Sequence, residues 1–79
     1  MSSIEKYNKA FIEALEIEES KLSGLKYQYV ETWDSVGHMN LIASIEDEFD
    51  IMMDTDDIID FSSYEKGKEI LSSNYDIKF

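Results

Sequence analysis

The chain is 79 residues long, contains no cysteine and carries a formal net charge of −11. Such a length suits one domain with a small core, burying roughly 60–65% of the unfolded surface, and leaves little room for a deep catalytic pocket. Disulfides, thiolate metal sites and a thiol nucleophile are excluded within the chain, and the charge repels nucleic acid and anionic membranes.

The first helix is predicted over about residues 3–17. Ser2-Ser3-Ile4-Glu5 reads as a capping box, and Ile4, Tyr7, Phe11 and Leu15 recur behind it at helical spacing. The opening residues have no long apolar run, and no later segment approaches a membrane span. A soluble, cytoplasmic protein is therefore the default expectation, and a monomer is expected separately.

Residues 18–34 read as a long loop. Ser20, Ser23 and Gly24 interrupt the pattern, and Leu22, Leu25, Tyr27, Tyr29, Val30 and Trp33 follow no helical period. Long loops in small domains are often functional. Tyr27 and Tyr29 could mark a short strand, but no second strand is in sight to pair with it.

A second helix is predicted over about residues 35–50. Met39, Ile42, Ile45 and Phe49 supply its apolar stripe and Leu41 widens it. Ile51-Met52-Met53 is an apolar link. Asp54-Thr55-Asp56-Asp57 offers a cap and an acidic first turn, so a short third helix is expected over about residues 55–61. Ser62-Ser63-Tyr64-Glu65 reads as another capping box, starting a fourth helix over about residues 63–73. Gly67 within it suggests a close helix contact, and the tail 74–79 is expected to fray. The fold class is all-α: a small four-helix bundle with a long first loop and a short third helix.

The acidity is segregated. Residues 27–65 contain eleven of the eighteen acids and none of the seven lysines. A solubility device would not need this segregation, whereas a surface that steers basic partners would.

The chemistry-bearing stretch is Trp33-Asp34-Ser35-Val36-Gly37-His38-Met39. Ser and Asp are common helix caps, and either could serve here only as a cap. A serine at this position would also hold an anion at the positive end of a helix. No base or third group is arranged to activate Ser35, and the Gly-x-Ser-x-Gly elbow is absent. Ser35 therefore reads as a serine that is modified rather than one that attacks. His38 follows on the same helix face, within reach of a phosphate, although a lone histidine ordinarily has a packing or solvent role. Met39, Met52 and Met53 read as adaptable core filling.

Asp34-Ser35-Val36, then Met39, Leu41, Ile42 and Ile45, then Glu46-Asp47-Glu48-Phe49-Asp50, resembles the signature of the acyl carrier protein family. The likeness continues through Asp56-Asp57-Ile58-Ile59-Asp60-Phe61 and covers nearly the whole chain. It implies that the chain is a carrier and a substrate of enzymes, with no catalysis of its own. A phosphopantetheinyl transferase would attach 4′-phosphopantetheine from coenzyme A to Ser35. The thiol of that cofactor would hold acyl groups as thioesters for enzymes of fatty-acid or related biosynthesis. Asp34 and Val36 would flank the attachment point, and the methionines would line a cleft for the acyl chain. Glu46, Asp47, Glu48, Asp56, Asp57 and Asp60 would dock on basic patches of partner enzymes.

Val36 replaces the family's usual leucine, Gly37 and Asn40 stand where acids are frequent, and Asp54 occupies the neighbourhood of a proline. These departures point to a specialised carrier. Aminoacyl, D-alanyl and peptidyl carriers resemble the chain in size and remain alternatives for the cargo. An unmodified acidic protein–protein adaptor is the alternative from another class. A calcium-binding EF-hand loop counted from Asp54 fails, because Ile58 and Ile59 fall where an oxygen ligand and a glycine are needed; no specific metal site is expected.

Overall fold

A computed structural model describes residues 2–79. Its helices are α1 (Ser3–Leu15), α2 (Ser35–Phe49), α3 (Thr55–Asp60) and α4 (Tyr64–Asn74), with a 3₁₀ turn at Glu19–Lys21. The described residues are thus mostly helical, and none of their helices is long and apolar enough to cross a membrane.

The start of α1 follows from its first residues. The Ser2 hydroxyl accepts the Glu5 amide at 3.3 Å, and Glu5 accepts the Ser2 hydroxyl and amide in return. These bonds hold the Glu5 carboxyl below its usual range. The helix stops before residue 17 because Glu16 turns left-handed (φ 54°) and the Ile17 amide reaches back to the Ile12 carbonyl. The end of α2 repeats this device: Asp50 has φ 54°, and the Ile51 amide bonds to the Glu46 carbonyl.

The long segment between α1 and α2 is pinned by buried Leu22, Leu25 and Trp33. It also has a backbone partner, contrary to the sequence expectation. The Tyr27 amide donates to the Ser62 carbonyl and the Tyr64 amide to the Leu25 carbonyl, each at 2.9 Å. They form an isolated antiparallel bridge between Lys26 and Ser63. The pairing partner lies in the short connection between α3 and α4, which has no strand pattern of its own.

Three further expectations are corrected. The spacing puts Met39 in the buried stripe of α2, but it is 55% exposed and the stripe is Gly37, Leu41, Ile42 and Ile45. The second capping box is not reciprocal: Ser63 caps α4 through the Lys66 amide at 2.9 Å, so the third helical position is a lysine that cannot accept a bond back. The tail does not fray. Tyr75 and Ile77 pack on the core, and the Phe79 ring lies 5.2 Å from that of Tyr7.

The core centres on aromatic rings. Phe11 meets Trp33, Tyr7 and Tyr64 edge to face at 5.4, 5.0 and 5.3 Å. Tyr7 is fully buried and satisfies its hydroxyl by donating 2.6 Å to the Tyr64 carbonyl. Among the described residues, no buried side-chain nitrogen or oxygen lacks a partner.

Candidate functional site at the start of α2

The helix α2 begins with a clear division of labour. Asp34 is the cap: its carboxylate accepts the Gly37 amide at 2.9 Å. Ser35 is therefore a first-turn residue whose hydroxyl is not spent on capping, and its side chain is exposed. Val36 beside it is 70% exposed. Gly37 is buried against the loop, where no other residue would fit.

Ser35 stands on the rim of a cleft of about 330 Å³ between α2 and α3. Met39 and Ile59, 55% and 72% exposed, form the rest of the rim. Tyr27, Ile58 and Phe61 line it further in. Of the three methionines assigned to such a cleft, only Met39 lines it. Met53 is buried in the core and Met52 is 87% exposed elsewhere.

His38 also lines this cleft, and both of its nitrogens are engaged. The Trp33 indole N–H donates to Nδ1 at 2.9 Å, and Nε2 lies 2.8 Å from the Ile58 carbonyl oxygen. An indole nitrogen can only donate, so Nδ1 is the acceptor, and the proton sits on Nε2 and is donated to Ile58. The imidazole stacks on Trp33 (6.2 Å, 14°) and meets Tyr27 and Phe61 edge-on. His38 thus has no nitrogen free for a phosphate on Ser35 or for deprotonating its hydroxyl. The phosphate contact considered from the sequence is replaced by a structural role.

The six acids assigned to docking divide evenly. Asp47, Asp56 and Asp60 are exposed. Glu46 accepts the Met53 amide at 2.9 Å, and Glu48 lies 3.4 Å from the Lys9 ammonium. Asp57 accepts from Asn74 at 2.9 Å and from the Tyr75 hydroxyl at 2.7 Å. Those three are occupied in holding the fold. Burial, together with the nearby Asp57 and Asp54 carboxylates, raises the Tyr75 phenol above its ordinary range. The cap expected from Asp54 is also absent. Its side chain makes no cap bond, and its amide donates to the Tyr75 hydroxyl at 2.8 Å.

A larger open depression, about 620 Å³, lies between the start of α3 and the end of α4. Its walls are polar, with Asp54, Asp56, Asp57 and Asn74, and no grouping of three potential metal ligands occurs among the described residues. Tyr27, His38, Ile58 and Phe61 come together in the cleft from separate segments, with no local sequence pattern to mark them, and Trp33 lies buried behind His38. A buried tryptophan needs an acceptor for its N–H, and that need was the available signal for His38.

No family model, no curated protein and no solved structure matches this chain.

Proposed function

We propose that the chain is an acyl carrier protein that receives 4′-phosphopantetheine on Ser35. The observation that carries this reading is the exposed, uncommitted hydroxyl of Ser35 on the first turn of a 15-residue helix, at the rim of an apolar cleft. The family resemblance of the flanking residues, and the mostly helical fold in which the segment after α1 leads into Ser35, support it.

In the attachment step the Ser35 oxygen forms a bond to the phosphorus of the pantetheine phosphate in coenzyme A. The bond to the nucleotide breaks, adenosine 3′,5′-bisphosphate leaves, and the serine proton passes to a base of the transferase. The group so bound supplies a terminal thiol that holds an acyl chain as a thioester. The residues of this chain do the rest. The positive end of α2, where Asp34 already takes the Gly37 amide, would favour the charge of a phosphodiester on Ser35. Asp34, already bonded to Gly37, fixes the turn that presents Ser35. The cleft beside it offers Ile58, Ile59, Met39 and Phe61 to an apolar cargo.

On this reading partner enzymes read Val36, Met39 and Ile59 together with the free acids Asp47, Asp56 and Asp60. Each exposed ion pair contributes on the order of 0–1 kcal/mol, which suits fast, reversible docking with steered encounter.

Intact mass after incubation with coenzyme A and a broad-specificity phosphopantetheinyl transferase tests the proposal. The wild type should gain one phosphopantetheine and Ser35→Ala none. A wild type that gains nothing would favour the unmodified adaptor.

A further inference from the structure

We propose that His38 is an acid-released clasp. While its ring is neutral it ties the segment before Ser35 to α2, and on taking a proton it gives up that tie. The inference goes beyond the carrier reading and stands without it.

The clasp follows from counting donors and acceptors. The Trp33 indole N–H donates to Nδ1 at 2.9 Å, and Nε2 lies 2.8 Å from the Ile58 carbonyl oxygen. An indole nitrogen has no lone pair to accept with, and a carbonyl oxygen has no proton to give. One form of the ring alone satisfies both contacts: the neutral tautomer with its proton on Nε2. A second proton can go only to Nδ1. There it meets the Trp33 N–H, donor against donor, while the bond from Nε2 to Ile58 survives. Protonation therefore cuts the loop side of the tie and keeps the α3 side.

The severed side is the one that leads into the candidate site. Trp33 lies two residues before Ser35. Among the described residues, its bond to His38 is the only side-chain hydrogen bond from residues 18–33 to a helix. The backbone bonds at Gln28 and Trp33 stay inside the segment. Trp33 is fully buried, so its N–H loses its partner where water is absent, which is costly. To recover a partner the N–H must reach water, and the segment loosens. The chain stays folded, because Leu25 and Tyr27 remain bonded to the connection before α4 and Phe11 still packs on the indole at 5.4 Å.

The ring is within reach of protons, being half-buried in a cleft with an exposed rim at Met39 and Ile59. Of the titratable groups on the surrounding elements, the Tyr27 phenol belongs to a ring set against the imidazole at 5.7 Å. Asp34 on α2 is bonded to Gly37, and Asp57 on α3 to Asn74 and Tyr75. Asp56 and Asp60 on α3, and Lys26 and Glu31 on the loop, are exposed. Residues 61–63 carry no ionisable side chain. The ion pairs of the described residues use Lys9, Lys66 and Lys68, so no carboxylate pairs with His38. The decisive neighbour is thus the Trp33 N–H. A free imidazole takes its second proton near pH ~6.5, which sets the release in mildly acid solution.

The chain has one histidine and one tryptophan, so NMR can follow both partners without ambiguity. The test records the imidazole C–H signals, and the exchange of the isotope-labelled indole N–H relative to free indole, from about pH 7.5 to about pH 5. No attached group is needed. As the imidazole titrates, protection of the indole should fall about tenfold, the worth of one hydrogen bond, with helical circular dichroism unchanged. His38→Gln keeps a carbonyl acceptor and does not titrate, so its indole protection should not vary with pH. An indole equally protected before and after the imidazole titrates overturns the inference. So does an imidazole that stays neutral in the folded chain down to about pH 5. A folded His38→Gln that loses protection over the same range also overturns it, since carboxylates would then be the cause. If that variant does not fold, the wild-type titration decides alone.

Discussion

A Cβ placed on Gly37 would lie 1.7 Å from the Thr32 carbonyl oxygen. The second residue after Ser35 is therefore packed directly on the loop backbone, and neither side can yield as the end of a flexible side chain could. Gly37→Ala should lower stability by about 3 kcal/mol, at the upper end of overpacking costs, despite alanine's better helix propensity. A lower urea midpoint with an unchanged slope would show it. At Gly67 the same Cβ would meet Phe61 Cζ and the Tyr7 hydroxyl at 2.2 Å. Gly67→Ala should therefore also destabilise, by about 1–3 kcal/mol.

Asp34 and Ser35 are adjacent, but their replacement should have opposite signatures. Asp34→Ala removes the cap bond to Gly37 and should cost about 1 kcal/mol. Ser35→Ala should change stability by no more than about 0.5 kcal/mol, while abolishing the mass gain with coenzyme A and transferase. Chemical denaturation beside intact mass separates the two. A large stability loss in Ser35→Ala would mean that its hydroxyl is part of the fold.

Asp56 and Asp57 differ in the same way. Asp57→Ala leaves the Tyr75 hydroxyl and the Asn74 amide without their acceptor, and should cost about 1–2 kcal/mol. Asp56→Ala should be within about 0.5 kcal/mol of wild type. In docking to a basic partner the order reverses: the lysine variant of exposed Asp56 should slow association, most clearly at low salt.

Alkaline pH should unfold the chain through Tyr7. Burial, and then the nearby Tyr64 and Glu65 charges, push its phenol far above the ordinary range. An unfolded phenol ionises near pH ~10. Above that pH the unfolded chain holds fewer protons than the folded one, so stability falls as pH rises. Melting temperatures between about pH 8 and about pH 11 should decline for wild type and less steeply for Tyr7→Phe. A residual slope is expected from Tyr64, whose phenol is raised by burial and by Glu65 and Glu19.

Millimolar Mg²⁺ or Ca²⁺ should raise the melting temperature at low ionic strength, because either cation screens the eleven acids of residues 27–65. The two should act alike, since no discrete cluster of ligands occurs among the described residues. An unchanged melting temperature would show that this repulsion does not limit stability.

Much of the helical content is legible because local rules decide it. Ser2 with Glu5, Asp34 and Ser63 mark helix starts through short-range bonds that any reader of the sequence can anticipate. What escapes is what depends on distant partners. The stripe of α2 is misjudged at Met39 because its true member, Gly37, has no side chain to register as apolar. The tail lacks a helical period, so Tyr75, Ile77 and Phe79 give no sign that they fold back. Asp56 and Asp57 are equivalent as letters; only the position of Tyr75 makes one a structural acceptor and leaves the other free. His38 looks available until Trp33 and Ile58 close on it from two other segments.

The bridge between Lys26 and Ser63 has an implication for the order of assembly. The strip of backbone leading to Ser35 is anchored by amides and carbonyls on either side of the entrance to α4. A nascent or proteolysed chain that lacks residues beyond 61 has nothing to clasp that strip, so its serine would sit on an unfinished surface. Completion of the surface that carries Ser35 thus awaits arrival of the last helix, and under the proposed carrier function incomplete chains would be poor substrates for the transferase.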